Sequence, residues 1–581
     1  MHTLKWWQTA VFYQIYPRSF ADGNGDGIGD LTGILARLDY LKDLGVDALW
    51  LSPHYPSPQF DCGYDVADYT GVAPEYGTLD DFKRFLDGAH QRGLRVILDL
   101  VLNHTSNQHP WFVASRSSRN NPKRDWYIWR DGKPLPPPRT GGGPPNNWVS
   151  TFGGSAWEYD PATRQYYYHY FFKQQPDLNW RNPTVQAAMF NAVRFWLDMG
   201  VDGFRLDAIG TLFEHPALPD SPAAPTPRDL FQAWHSGVTA TEPAEVIEAR
   251  LKAMFQYQVD QPGVHGVLRA LRALVDEYDD RVLVGETDDI AYHGNGNDEL
   301  HLVFNFPLMR TRRLTPAWAR ANQAARLAAL NAVTPFGAWP GNTLGNHDVP
   351  RVYSHFGDGD ASRDDALARL SLALTLTLRG TPFLYNGEEI GMTDFMLTDL
   401  RQFRDNLGVW ACQALIEFLH LAPEEALKRA AELGRDKCRT PMQWADAPNA
   451  GFSPAGVETW LPVNPNYAQG VNVAGQLAQP ASLLNFYRRL LRARRNSPAL
   501  ITGDYVPLHE DAPDYLAFLR RNAAQACLVV LNFSERAHTV KFDLPTRAAR
   551  PLFSSHERGA DADDLSRLSF APFEIYIAEL T

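Results

Sequence analysis

Eight short runs of β-branched and aromatic residues alternate with helix-like stretches over the first 390 residues, and this alternation constrains the fold more than any other feature. The runs are "AVFYQIYP", "VDALWLSP", "LRVILDLVLNH", "VDGFRLDA", "RVLVGET", "LHLVFNF", "NTLGNHD" and "GTPFLYNGEE". Between them, stretches such as 31–45, 78–93 and 183–200 carry apolar residues at helical spacing and end at a glycine. Strands alternating with helices build an α/β protein with a parallel sheet, and eight is the number that closes a (β/α)8 TIM barrel. The period alone is equally compatible with an open doubly wound sheet.

The chain has 581 residues, more than one core accommodates. One connection, after "DLVLNHTS", is far longer than a βα loop and is rich in Gly, Pro and aromatic residues. Residues 104–178 are therefore expected to form an inserted subdomain over the barrel mouth, dividing the barrel into 1–103 and 179–500. A second irregular stretch, near 394–480, includes the helical "LAPEEALKRAAELG". After the amphipathic "ASLLNFYRRLLRARRNS", short strands with turns ("YLAFLRRN", "ACLVVLNFS", "HTVKFDLP", "FEIYIAEL") predict an antiparallel β-sandwich over 501–581.

Composition excludes several classes of function. The net charge of −12 argues against a nucleic-acid partner. No apolar run approaches the roughly 18 residues of a membrane span, and the first residues lack the pattern of a secretory signal. The cysteines Cys62, Cys412, Cys438 and Cys527 have neither C-x-x-C nor zinc spacing. These features predict a soluble cytoplasmic protein with free thiols, no organic cofactor and no membrane partner; oligomeric state is not legible.

In "GFRLDAIG", Arg205 and Asp207 share one face of a strand while Phe204 and Leu206 share the other. A buried ion pair is a poor source of stability, so the pair calls for another use. Further polar residues collect at the expected C-terminal strand ends: Asp99, Asn103, His104, Glu286, His347 and Asp348. Barrel active sites are assembled there. A single buried aspartate is more often a structural acceptor, but several acids at equivalent ends suit glycoside hydrolysis, in which one carboxylate attacks and another protonates the leaving oxygen. Arg205 is expected to keep the nucleophile ionised, and neighbouring carboxylates to raise the acid. A metal-dependent hydrolase is the competing chemistry, against which no H-x-H or H-E-x-x-H pair is present.

Taken in order, "DLVLNHTS", "GFRLDAIG", "GETD" and "LGNHD" resemble the four signature regions of the α-amylase family, glycoside hydrolase family 13. "QPDLNW" and "RTPMQW" resemble its α-glucosidase and oligo-1,6-glucosidase branch. The resemblance implies Asp207 as nucleophile, Glu286 as general acid and base, and Asp348 as transition-state stabiliser. It implies His104, Arg205 and His347 around the first glucose, Asp61 gripping the non-reducing end, and Tyr64 stacking on the ring. Phe152, Phe171, Gln175 and Arg439 match the remaining pocket wall. An aspartate at the pocket floor implies exo-action on oligosaccharides, and a covalent intermediate implies retention, with the two carboxyls about 5 Å apart. Transfer to sugars in place of water follows from the same intermediate.

"DGNGDGIGDLTG" imitates the start of an EF-hand loop, with Asp22, Asn24, Asp26, the Ile28 carbonyl and Asp30 as oxygen donors. Position twelve is Gly33, so the bidentate glutamate of a calcium sensor is missing. The expectation is a structural Ca2+ or Mg2+ site, and the plain alternative is an Asx-turn loop without an ion.

Ala208 follows the nucleophile. In the resembling branch valine there accompanies action on α-1,6 bonds, and alanine or threonine accompanies α-1,4 specificity. The expected substrates are therefore maltose and short malto-oligosaccharides. The alternatives are an oligo-1,6-glucosidase and a trehalose synthase or sucrose isomerase, although the arginine-rich loop of the isomerases is not evident in "FNFPLMRTRRLTPA". A non-catalytic transporter heavy chain is also a relative, but it would need a membrane segment and lost carboxylates.

Overall fold

The computed structural model describes residues 4–134, 142–239, 241–559 and 561–581. Residues 135–141, part of the Gly/Pro-rich insertion, lie outside them. Eight strands close a barrel: β1 (Phe12–Ile15), β2 (Ala48–Leu51), β3 (Arg95–Val101), β4 (Gly203–Asp207), β5 (Val282–Gly285), β6 (Leu302–Phe304), β7 (Trp339–Thr343) and β8 (Thr381–Tyr385). Each pairs in parallel with the next, and β8 returns to β1 through Phe12 opposite Phe383.

Two cores follow from the period of two along these strands. Phe12, Ala48, Trp50, Ile97, Val284, Phe304, Trp339 and Phe383 fill the barrel interior. The alternate residues Tyr13, Leu49, Leu98, Phe204, Leu206, Leu283, Val303 and Leu384 pack outward against the helices. Each large side chain buried in this way contributes about 1.5–3 kcal/mol. Arg205 and Asp207 take the inward positions that Phe204 and Leu206 leave, so the two charges enter the barrel rather than its helix-covered exterior.

Helix signals read from the sequence have physical counterparts. Thr78 accepts from the Asp81 amide in a capping box that starts Leu79–Gln91. Asn182 accepts from Thr184 N before Pro183–Asp198. Two readings are corrected. Residues 31–45 form two helices, Leu31–Ala36 and Leu38–Leu44, separated by Arg37 at φ −107° and ψ 5°. The seventh strand begins at Trp339, so only its last two residues fall in "NTLGNHD", and His347 lies in the loop beyond it. Pro340 and Gly341 disguised this strand. A Cβ at Gly341 would come within 3.2 Å of the Val303 carbonyl oxygen and 3.4 Å of the Phe383 ring.

The segment between β3 and β4 carries an antiparallel sheet of Trp129–Arg130, Gln165–Tyr168 and Trp157–Asp160. Bridges from His104 to Asp177 and from Tyr127 to Leu178 tie its root to the end of β3. Between β4 and β5 lie helices Pro227–Thr239, Ala244–Phe255 and Gly263–Val275. After β8, helices Asn406–Leu419 and Pro423–Leu433 pack together and share a core cluster with Phe231 from the first of these excursions.

The C-terminal domain is a six-stranded antiparallel sheet with a two-stranded sheet, His538–Val540 with Leu568–Phe570, beside it. Along Tyr515–Arg521, Leu516 and Phe518 join the core shared with the barrel, whereas Tyr515, Ala517 and Leu519 join the domain's own core. Among the described residues, no helix is long and apolar enough to cross a membrane.

Candidate active site

Parallel register sets Asp99 of β3 directly opposite Arg205 of β4. Arg205 Nη1 donates to Asp99 Oδ1 at 2.6 Å and to Asp207 Oδ1 at 2.7 Å, and Nη2 meets Glu286 Oε2 at 2.8 Å. One guanidinium thus joins three carboxylates from three successive strand ends. Its face lies 5.1 Å from the Trp50 ring, whose Nε1 donates to Asp99 Oδ2. The second Glu286 contact is backbone: Ala208 N donates to Oε2 at 2.9 Å.

Burial pushes the Asp207 carboxyl well above the ordinary range, and the charges on Glu286 and Asp99 add to that, while Arg205 opposes it. Burial also raises Asp99 against the pull of Arg205. Arg205 itself stays charged, because the surrounding anions outweigh its own burial. Burial is the larger cause for both carboxyls, and the negative charges of their carboxylate neighbours add to it. Arg205 pulls Asp207 toward the ionised form, in the expected direction, against the larger effect of burial.

The loop after β7 brings His347 and Asp348 to the same mouth. His347 is fully buried and its pKa is pushed down to about 3 by desolvation, so the ring is neutral. With the Gln14 amide as oriented, Gln14 Nε2 donates to Nδ1 at 2.7 Å, leaving Nε2 as the protonated nitrogen, 2.6 Å from the Tyr64 hydroxyl. Tyr64 in turn donates to Asp99 Oδ2 at 3.2 Å, linking the two halves of the site. Burial would raise Asp348, but with His347 neutral it is the Arg439 and Arg435 guanidinium groups beside it that hold the carboxyl well below its usual range. Arg439 Nη2 donates to Asp348 Oδ1 at 2.5 Å.

Asp61 lines the same cavity. Arg435 Nη2 donates to its Oδ1 at 2.7 Å and Gln175 Nε2 to its Oδ2 at 2.9 Å. Gln175 also meets His104 Nε2 at 3.0 Å, and burial pushes His104 down to about 4. Phe171 lies 5.2 Å from His104 and Phe152 5.3 Å from Phe171. Asp61, Tyr64, His104, Phe152, Phe171, Asp207, Ala208, Glu286 and Asp348 line one cavity of about 540 Å³, and Gln175, Arg205, His347 and Arg439 support it from behind.

Sequence reasoning missed Arg435, which clamps both Asp61 and Asp405 and is four residues upstream of Arg439. A second arginine in "RDKCRTPMQW" was the only available signal. It also missed Gln14 on β1, which no local pattern marks. Ala208 differs from expectation in kind: its backbone is left-handed at φ 43°, and its amide holds Glu286.

The acidic loop lies apart from this cavity. Asp22 accepts from the amides of Gly25 and Gly27, Asn24 from Asp26, Asp26 from Ile28, and Asp30 from Gly23, Asn24 and Gly33. The all-oxygen donor chemistry fits a hard divalent cation. Among the described residues, however, no three acidic, His or Cys side chains converge on a metal-sized site.

A carboxylate cluster at the C-terminal mouth of a closed parallel barrel, in a sugar-sized cavity, defines a glycoside hydrolase. The chain belongs to the α-amylase family: the α-amylase catalytic-domain family matches residues 14–503, and the maltogenic amylase C-terminal domain matches residues 505–577. It is 39% identical to an oligo-1,6-glucosidase of Parageobacillus thermoglucosidasius, over 99% of both chains. It is 41% identical to an α-glucosidase of Pediococcus pentosaceus, over 92% of each. Among solved structures, a trehalulose synthase from Pseudomonas mesoacidophila MX-45 superposes with a TM-score of 0.86 at 38% identity, covering 100% of both chains.

Proposed function

We propose that the protein is a retaining, exo-acting α-glucosidase that removes terminal non-reducing α-1,4-linked glucose from maltose and short malto-oligosaccharides. The observation that carries this reading is the bridge from Arg205 to Asp207 and Glu286 in a cavity whose wall holds the Asp61–Arg435 clamp, which would grip the non-reducing end. Asp207 attacks the anomeric carbon while Glu286 gives its proton to the departing glycosidic oxygen, yielding a glucosyl ester and a free sugar. Glu286, now ionised, takes a proton from water, which displaces Asp207 with a second inversion and hence net retention. Asp348, held ionised by Arg439, faces the developing positive charge on the sugar. The neutral His104 lines the cavity without adding charge, and the neutral His347, held by Gln14, positions the Tyr64 hydroxyl. A sugar entering in place of water gives transglycosylation.

A slow 2-fluoro α-glucosyl substrate tests the assignment. Peptide mapping of the trapped protein should find the ester on Asp207; an ester on Glu286, or none with a turning-over enzyme, contradicts it.

Preference for α-1,6 bonds is the second reading, favoured by the 39% identity to an oligo-1,6-glucosidase. Rates on maltose and isomaltose decide between them. The acidic loop is proposed as a structural Ca2+ or Mg2+ site held by Asp22, Asn24, Asp26, Asp30 and the Ile28 carbonyl, with no catalytic part. A cytoplasmic location is also proposed, supported by four buried, unpaired cysteines.

A further inference from the structure

We propose that Trp234 is the stacking surface for the sugar on the leaving-group side of the scissile bond, and therefore a specificity-determining residue. This rests on the exo-acting reading, which seats the first glucose against Asp61. From the neighbourhood of Asp61, a chain of ring contacts runs toward Trp234. His104 meets Phe171, Phe171 meets Phe152, and the neighbouring Gly153 abuts the Trp410 indole so closely that a Cβ would come within 2.3 Å of it. Trp410 then lies 5.8 Å from Trp234, which is half-buried and lines the same cavity as Asp207 and Glu286.

Trp234 packs against the edge of the core cluster that contains Phe231, and the fold fixes its position there. Its neighbour Phe231 is fully buried and already packs on Trp410 at 5.4 Å, closing the contact between helices Pro227–Thr239 and Asn406–Leu419. Trp234, 6.1 Å from Phe231, is left on the cavity side of that contact. A large flat ring, rigid and apolar over its face, suits the C–H face of a pyranose. Arg310 and Glu432 line the same cavity and supply polar partners for hydroxyl groups.

The test compares W234A and W234L with the parent enzyme on the faster of maltose and isomaltose, and on α-glucosyl fluoride, whose one-atom leaving group does not extend to Trp234. W234L keeps apolar volume against Trp410 but lacks the flat face, so it decides the matter where W234A fails to fold. The disaccharide KM should rise about three- to tenfold in both variants, the range expected for losing one aromatic contact. W234F should restore most of it, and kcat/KM on the fluoride should hardly move. A parallel loss on both substrates assigns Trp234 a purely structural role and overturns the proposal, as does an unchanged disaccharide KM. A parent enzyme that cuts within longer chains instead of releasing glucose overturns the exo-acting reading, and the placement of Trp234 with it.

Discussion

Arg205 and Asp207, two positions apart on β4, meet at 2.7 Å on the inner face of the barrel. The same guanidinium also reaches Asp99 and Glu286. The pair is thus one corner of a cluster in which anions outnumber cations, and its effect on stability is opposite to its use in chemistry.

Replacing Asp207 by Asn should abolish turnover, by about 10⁴-fold or more, and raise the melting temperature at neutral pH. The folded-state pKa of Asp207 lies above its unfolded value near 3.9. The native protein therefore holds the proton more tightly, and stability is lost as pH rises above the unfolded pKa. The gain of D207N should be greatest near pH 7, about 1–3 °C, and vanish near pH 4. Melting curves of both proteins across this range check it, and a destabilised D207N at pH 7 contradicts it.

Asp348 should behave oppositely. Its carboxyl is depressed by Arg439 and Arg435 against the effect of burial, so its contribution is present above the unfolded pKa and lost as pH falls through the folded one. D348N should cost about 1–2 kcal/mol at pH 7, a modest value because the side chain is 31% exposed. Denaturant titrations at pH 7 and pH 3 should show the difference shrinking in acid.

Ala208 should affect more than pocket width. A valine at φ 43° is strained, and that strain falls on the amide holding Glu286. A208V should lower the melting temperature and kcat on every substrate while shifting the maltose to isomaltose ratio toward isomaltose. A208G, free of the strain, should leave kcat close to the parent value. Equal rate ratios in all three proteins remove the specificity argument.

The acidic loop gives a prediction that separates stability from catalysis. Chelation, or D22N/D26N, should lower the melting temperature while leaving room-temperature turnover on maltose unchanged, since the loop lies outside the catalytic cavity. Melting that ignores both calcium and chelator leaves the loop as a self-satisfied Asx turn.

The eight strands were legible because each alternates with a helix, and the period of two put Arg205 and Asp207 on one face and Phe204 and Leu206 on the other; closure into a barrel, and which face points inward, came from the structure. The start of β7 was not legible, because Trp339–Thr343 contains Pro340 and Gly341, and what admits them is tertiary, the Phe383 ring beside Gly341 and the pairing with β8. The candidate catalytic acids Asp207 and Glu286 were legible as polar residues at strand ends, and Asp348 as an acid just past one. The clamp on Asp61 was not, since Arg435 is 374 residues away in the chain and nothing local announces their contact. Nor could the sequence reveal that Ala208 acts through its backbone, because φ is not written in a side chain.

The most direct test of a retaining, exo-acting α-glucosidase is proton NMR of the enzyme with maltose, following the anomeric signals from the earliest times, with isomaltose in parallel. The account predicts that α-glucose appears first and drifts to the β-anomer only by mutarotation. Glucose that first appears as the β-anomer would contradict the double displacement by Asp207 and Glu286, and longer fragments released from malto-oligosaccharides without glucose would contradict the grip of Asp61 on the non-reducing end.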